Sequence, residues 1–269
     1  MAVTEQTTRS STPVVIKVGG RIANSRTTLQ PILLGLGQRA NQRAPTILVH
    51  GGGDELTTFS RRLGIEPRFE RGVRITSPEE MPIVEMVLGG AANTALVRRL
   101  QSSGVPSVGL TGCDGASVVA DAIATDDGAP TCTGRVTRVS GALFHTLIGG
   151  GYLPVLASVA MNRDGAALNV NADEVAFEIA KAVRAEALVF ISDTEGIMKD
   201  GAPIAAITPH EVEREIAAGV IDGGMVVKAR AAVDALQSGV TRIMIGGCDS
   251  AEAFAALIDG TLGTRIAYE

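Results

Sequence analysis

The sequence predicts an α/β protein, with a mainly parallel β-sheet covered on both faces by helices. Three observations predict it. Short apolar runs at residues 13–18, 46–50, 106–110, 153–156, 187–191 and 241–245 read as strands, and several, such as Ile47-Leu48-Val49 and Leu188-Val189-Phe190-Ile191, show no polar alternation. Strands of that kind are buried on both faces. Between them, apolar residues recur at helical spacing. The 269 residues, 45% hydrophobic and 20% charged, suffice for a sizeable core in one large domain or two lobes. Aromatic residues make up only 3% and Trp is absent, so that core is built from Ala, Val, Leu and Ile.

Each element follows in order. The polar lead, residues 1–12, lacks the apolar stretch of a signal peptide and reads as disordered. The strand 13–18 is followed by LQPILLGLGQRA with helical spacing, then by the strand 46–50. A long helical pattern, EEMPIVEMVLGGAANTALVRRLQ, leads to the strand 106–110. Residues 111–140 differ, with short pieces such as GASVVADAIA and GRVTRVSG that read as β-hairpins laid on the sheet. After 153–156 comes the helical DEVAFEIAKAVRA, and after 187–191 come HEVEREIAAG and MVVKARAAVDALQ. No repeat at solenoid spacing occurs. A boundary near Arg184–Ala187 divides the chain into 13–185 and 186–269.

Bulk properties exclude some functions. A net charge of −5 argues against a nucleic-acid surface. Cys113, Cys132 and Cys248 lie far apart without a CxxC pair, which disfavours a zinc site or disulfide framework and suits a reducing cytosol. No apolar run reaches membrane-spanning length. The expectation is a cytoplasmic enzyme or binding protein of small molecules.

Two strands end in glycine turns: VVIKVGGR, residues 14–21, and TILVHGGGDE, residues 46–55. Neither is a P-loop, since GxxxxGK[ST] does not occur. GLGQRA fits GxGxxA but lies within a predicted helix, not at a strand end. Ligands in open α/β sheets bind outside the carboxyl ends of strands. Gly19, Gly20 and Gly51–Gly53 let the backbone approach an anion and aim N–H groups at it. Helices starting near Arg26 and Asp54 would add their positive ends. The plainer alternative is a pair of tight turns with no ligand.

Lys17 sharpens the choice, because an ammonium in an apolar strand needs water, a partner or an anion. Lys228 stands in the first turns of an apolar helix opened by Gly223-Gly224, where a cation is disfavoured unless an anion faces it. In LNVNADEVA, Asn171 or Asp173 caps a helix, or Asn169 bonds a ligand and Asp173 orients the lysines. Arg74, ahead of Ser77-Pro78, is a surface arginine or a grip for a carboxylate. ISDTEGIMKDG, residues 191–201, runs from a strand into an acidic glycine turn suited to a nucleotide edge.

With these pieces in hand, the chain resembles the amino acid kinase family over about residues 13–267. The ordered set IKVGG, VHGGG, RGVRIT, GYLPVLASV, LNVNADEVA, ISDTEGIM, IDGGMVVK and LGTRI carries the resemblance. Within the family it is most similar to the branch that phosphorylates N-acetyl-L-glutamate with ATP in arginine biosynthesis. The resemblance implies a three-layer αβα sandwich in two lobes, 13–185 for the acyl amino acid and dimerisation, 186–269 for ATP. It implies that Lys17 and Lys228 stabilise the phosphoryl group while Asp173 positions them. Gly19, Gly20 and Gly51 would bind phosphate, with Gly52, Gly53, Arg74 and Asn169 on the substrate. Asp193, Thr194, Glu195, Gly196, Ile197, Met198, Val220, Ile221 and Asp222 would line the nucleotide site. Mg²⁺ would be carried by ATP and water, with no protein metal site.

Arg21 stands where relatives usually have a small residue, and Cys113 where many carry lysine or glycine. Arginine-inhibited relatives carry a longer N-terminal helix that joins dimers into hexamers, so the short lead gives the expectation of a homodimer that arginine does not inhibit. Two alternatives stay open: a carrier-protein-linked aminoadipate or glutamate kinase of lysine biosynthesis, and a non-catalytic amino-acid or nucleotide sensor with the same fold.

Overall fold

All of the expected strands form, and they lie side by side in one sheet. In the computed structural model, residues 12–70, 72–126 and 128–268 are described. The expected lead, Thr12 apart, lies outside the described residues. The eight-stranded sheet runs in the order Ala206–Ile207, Thr264–Ile266, Arg242–Gly246, Ala187–Ile191, Val14–Val18, Thr46–His50, Leu153–Ala157, Ser107–Leu110. From Arg242–Gly246 to Ser107–Leu110 every neighbour is parallel. Thr264–Ile266 is antiparallel to Arg242–Gly246. The sheet continues through the expected boundary, for Ala187–Ile191 pairs with Val14–Val18 and the Glu186 N–H donates to the Pro13 carbonyl at 2.9 Å.

The unbroken apolar runs are explained by two cores. Val14, Ile16, Val18, Leu48 and Val189 pack with Leu29, Ile32 and Leu36 of helix Arg26–Asn41 and with Phe254 and Leu257 of helix Ala251–Asp259. Val15, Ile47, Val49, Leu188 and Phe190 pack on the other face with Val175 and Ile179 of helix Ala172–Ala182 and Leu236 of helix Gly223–Gln237. Side chains alternate along a strand, so Lys17 projects on the second face, beside Val15. Gly35 of GLGQRA lies within helix Arg26–Asn41, and a Cβ there would meet the Phe254 ring at 2.1 Å. That glycine serves helix packing.

Residues 111–140 hold the expected antiparallel hairpin, Val118–Ala122 with Thr133–Val139. Two further strands, Val159–Met161 and Ala167–Val170, close it into a four-stranded barrel. The long helical segment is continuous, but Glu85–Ala92 is π-helical between α-helical Met81–Val84 and Asn93–Ser102. A further hairpin, Arg68–Glu70 with Val73–Ile75, carries Arg74. Among the described residues no helix is long and apolar enough to cross a membrane.

Candidate active site

Both glycine turns stand at the carboxyl ends of adjacent parallel strands, with Val18 in register with His50. The helix expected near Arg26 does start there, as Arg26–Asn41, but Gly20 opens an additional short helix, Gly20–Asn24, directly after the first turn. The second turn opens helix Gly53–Arg62, close to the expected Asp54. The turns pack backbone against backbone: a Cβ on Gly20 would lie 2.7 Å from the Gly52 Cα. A Cβ on Gly52 would lie 2.6 Å from Cδ2 of Leu88, which the π-helical segment presents.

The lysines converge on this point. Lys17 Nζ lies 2.7 Å from Asp173 Oδ1. Asp173 stands in the first turn of Ala172–Ala182, and Asn171 caps that helix by accepting from the N–H groups of Asp173 at 2.8 Å and Glu174 at 3.4 Å. Capping and charge pairing are thus divided between two neighbours. Lys228 Nζ sits 5.5 Å from the centroid of the Phe190 ring, and Phe190 is the strand partner of Lys17. Burial, and then the charge of Lys17, hold the Lys228 pKa below the usual lysine value against the opposing pull of Asp173 and Asp193. Arg21 extends the chain of charges, with Nη2 2.7 Å from Asp193 Oδ2 and Nε 3.7 Å from Asp54 Oδ2, all largely exposed.

A cleft of about 330 Å³ brings together Lys17, Gly51–Gly53, Arg74, Asn169 and Asp173. The Arg74 guanidinium is mostly buried in its wall. It donates to Glu80 Oε1 at 2.9 Å, to the Gly53 carbonyl at 3.2 Å and to Thr57 Oγ1. The Phe69 ring covers it at 4.9 Å. Ser60 Oγ in turn donates to Glu80 Oε1 at 2.7 Å, and both residues are buried. Asn169 Nδ2 donates to Thr76 Oγ1 at 2.8 Å. Leu56, Val73 and Leu88 supply apolar lining. The roles of Glu80, Ser60, Thr57 and Phe69 escape sequence reasoning. SPEE offers two adjacent acids, and only the fold turns Glu80 inward while Glu79 bonds Ser77 at the surface.

A second cleft, of about 480 Å³, opens beyond the strands Ala187–Ile191 and Arg242–Gly246, lined by Asp193, Thr194 and Glu195 among others. The other expected nucleotide residues lie outside its lining. A Cβ on Gly196 would lie 2.6 Å from Thr264 Oγ1, which accepts the Ile197 N–H at 2.8 Å. Ile197 and Ile221 are both 2% exposed and their side chains belong to the core, which leaves their backbone as the part that could line a site. Met198 is partly exposed. The N–H groups of Val220 and Ile221 donate to the Glu215 carbonyl, and Asp222 occupies the N-cap of Gly223–Gln237. Cys113 is half-buried beside the cluster of Met81, Val84 and Leu88, and burial pushes its thiol pKa up.

The sequence model of the amino acid kinase family matches residues 12–247. Acetylglutamate kinase of Geobacillus kaustophilus is 37% identical, over 86% of this chain and 88% of that one. Acetylglutamate kinase of Halalkalibacterium halodurans is 37% identical, over 94% of this chain and 95% of its own. Among solved structures, a Streptococcus mutans UA159 protein superposes with a TM-score of 0.81 at 26% identity, covering 96% of this chain and 99% of that one.

Proposed function

The chain belongs to the amino acid kinase family, and on that premise we propose that it phosphorylates the γ-carboxylate of N-acetyl-L-glutamate with ATP. The product is N-acetylglutamyl 5-phosphate, the second step of arginine biosynthesis. The observation that carries this reading is Lys17, paired with Asp173 at 2.7 Å in a cleft it shares with a glycine turn, Arg74 and Asn169. Relatives named acetylglutamate kinase support the substrate.

A carboxylate is already ionised at neutral pH, so the reaction needs no general base. One carboxylate oxygen attacks the γ-phosphorus, and the bond from that phosphorus to the bridging oxygen of ADP breaks in line. The chain's task is to hold two anions close and neutralise the charge between them. Lys17 and Lys228 supply cations, Gly19, Gly20 and Gly51 supply amides to the phosphate, Gly52 supplies its amide to the phosphate or the substrate, and Asp173 fixes Lys17. Arg74, Asn169 and Gly53 hold the carboxylate and amide of the acyl amino acid. The nucleotide lies along residues 193–198 and 220–222. The nearby carboxylates are engaged by cations, Asp173 by Lys17 and Asp193 by Arg21, a donor set that suits Mg²⁺ carried on the phosphates of ATP, where it neutralises charge. Residues 13–185 form the acyl-amino-acid lobe and 186–269 the ATP lobe of a cytoplasmic homodimer.

The test is ATP-dependent acyl phosphate formation, trapped with hydroxylamine, on N-acetylglutamate beside glutamate, aspartate and N-acetylaminoadipate. Selective signal with N-acetylglutamate is expected. Folded protein that binds ATP but gives no signal with any of the four would overturn the reading in favour of a sensor.

A further inference from the structure

We propose that His50 is a positioning residue for phosphoryl transfer, its imidazole locked as the Nδ1–H tautomer so that it fixes the Gly51–Gly52 peptide and aims the Gly52 N–H into the cleft. The inference rests on the functional reading above.

His50 ends the strand Thr46–His50 and is 1% exposed. Strand alternation puts it on the face of Leu48, opposite Lys17, so it touches no substrate. Both ring nitrogens are engaged. Nδ1 lies 3.0 Å from the Gly51 carbonyl oxygen and Nε2 lies 3.0 Å from Asn93 Nδ2.

The protonation follows from the partners. A carbonyl oxygen only accepts, so Nδ1 carries the proton. Asn93 Nδ2 also lies 2.9 Å from the Val155 carbonyl oxygen, which identifies that end of the carboxamide as the NH₂ group. The Leu110 carbonyl lies farther off, at 3.5 Å, so the second hydrogen is directed to Nε2 at 3.0 Å, which must accept. An imidazolium would set two donors against each other, and burial independently pushes the His50 pKa down. Asn93 itself is tightly seated, since a Cβ on Gly109 would lie 2.0 Å from its Oδ1.

The consequence lies in one peptide plane. The C=O of Gly51 and the N–H of Gly52 belong to the same planar trans unit and point in opposite directions. Tying the carbonyl to His50 turns the N–H away from the ring, toward the face of Lys17. Among the described residues no acceptor takes the Gly52 N–H, and Gly52 lines the cleft. The chain Val155, Asn93, His50, Gly51 holds a phosphate donor in place before any ligand arrives.

The test combines spectroscopy and kinetics. In protein labelled with ¹⁵N-histidine, long-range ¹⁵N–¹H correlation is expected to show His50 as the Nδ1–H tautomer at neutral pH; the Nε2–H form would overturn the proposal. His50→Asn places an amide N–H near the position of Nδ1, whereas His50→Gln sends its amide past it. His50→Asn is expected to keep kcat within about 3-fold of the wild type. His50→Gln is expected to lose about 10- to 100-fold in kcat with smaller changes in KM, as for a misaimed transition-state donor. Equal kcat in the two variants would overturn the proposal. Absence of turnover in the wild type would count against the functional reading instead, and the imidazole tautomer would still decide the assignment of His50.

Discussion

A lysine inside an apolar sheet must find an anion, and Lys17 finds Asp173 at 2.7 Å. The ammonium is therefore placed before the phosphate arrives, and removing it removes charge stabilisation from the transition state. Lys17→Ala is expected to lower kcat by about 100- to 1,000-fold while circular dichroism stays unchanged. Lys228 gives a pH signature. In the proposed mechanism its protonated form neutralises phosphate, and its pKa is lowered, first by burial. Activity is therefore expected to fall as pH rises through a value below the ordinary lysine range. Arginine keeps its charge throughout, so Lys228→Arg should move that alkaline limb of kcat/KM upward; an unmoved limb would separate it from Lys228. For stability the sign is opposite: folding penalises the protonated amine, so this penalty relaxes as pH rises toward the unfolded lysine pKa. Glu80 matters through Arg74. Glu80→Gln leaves the shape but removes the charge partner at 2.9 Å, and KM for the acyl amino acid is expected to change at least 3-fold with KM for ATP unchanged, read by steady-state kinetics.

At the scale of elements, the two glycine turns act as one. Gly20→Ala would drive a Cβ into the Gly52 backbone, which cannot swing aside, whereas the neighbour of a Gly52 Cβ is the tip of Leu88. Initial rates are expected to fall about 100-fold for Gly20→Ala, and Leu88→Ala is expected to relieve Gly52→Ala but leave Gly20→Ala impaired. Much of this arrangement was legible in the sequence. The strands announced themselves because both faces are covered, and Lys17 stood out as a cation in such a run. Other parts left no local trace. Gly20–Asn24 is five residues long, too short for a helical period to register. The one-residue-longer hydrogen-bond span in Glu85–Ala92 is invisible to an apolar pattern that stays helical throughout. The four-stranded barrel depends on pairing across distant segments, such as Asn169 with Thr133. Ile197 and Ile221 are themselves among the nucleotide candidates read from the sequence, yet their side chains pack in the core, because a motif gives proximity along the chain but not direction.

The whole molecule joins two clefts at the carboxyl ends of neighbouring strands of one sheet, so occupancy of either should stabilise the same folded unit. A non-hydrolysable ATP analogue with N-acetylglutamate, each at 100 times its Kd, would add about 2.7 kcal/mol per ligand if they bind independently. A thermal melt is expected to rise by about 5–10 °C for each, and two ligands that shift it no more than one would contradict a shared folded unit. The sheet order also has a consequence for synthesis. Val14–Val18, the strand of Lys17, pairs on one side with Thr46–His50 and on the other with Ala187–Ile191. The first partner emerges from the ribosome soon after it, the second only when about two thirds of the chain has been made. Until then the strand at the centre of the finished sheet is an open edge, apolar on both faces, of the kind that recruits other chains. A fragment ending near Arg184 would keep that edge for good and is expected to aggregate in a sedimentation assay. The strand that carries Lys17 is thus also the one that must wait longest, during translation, for protection.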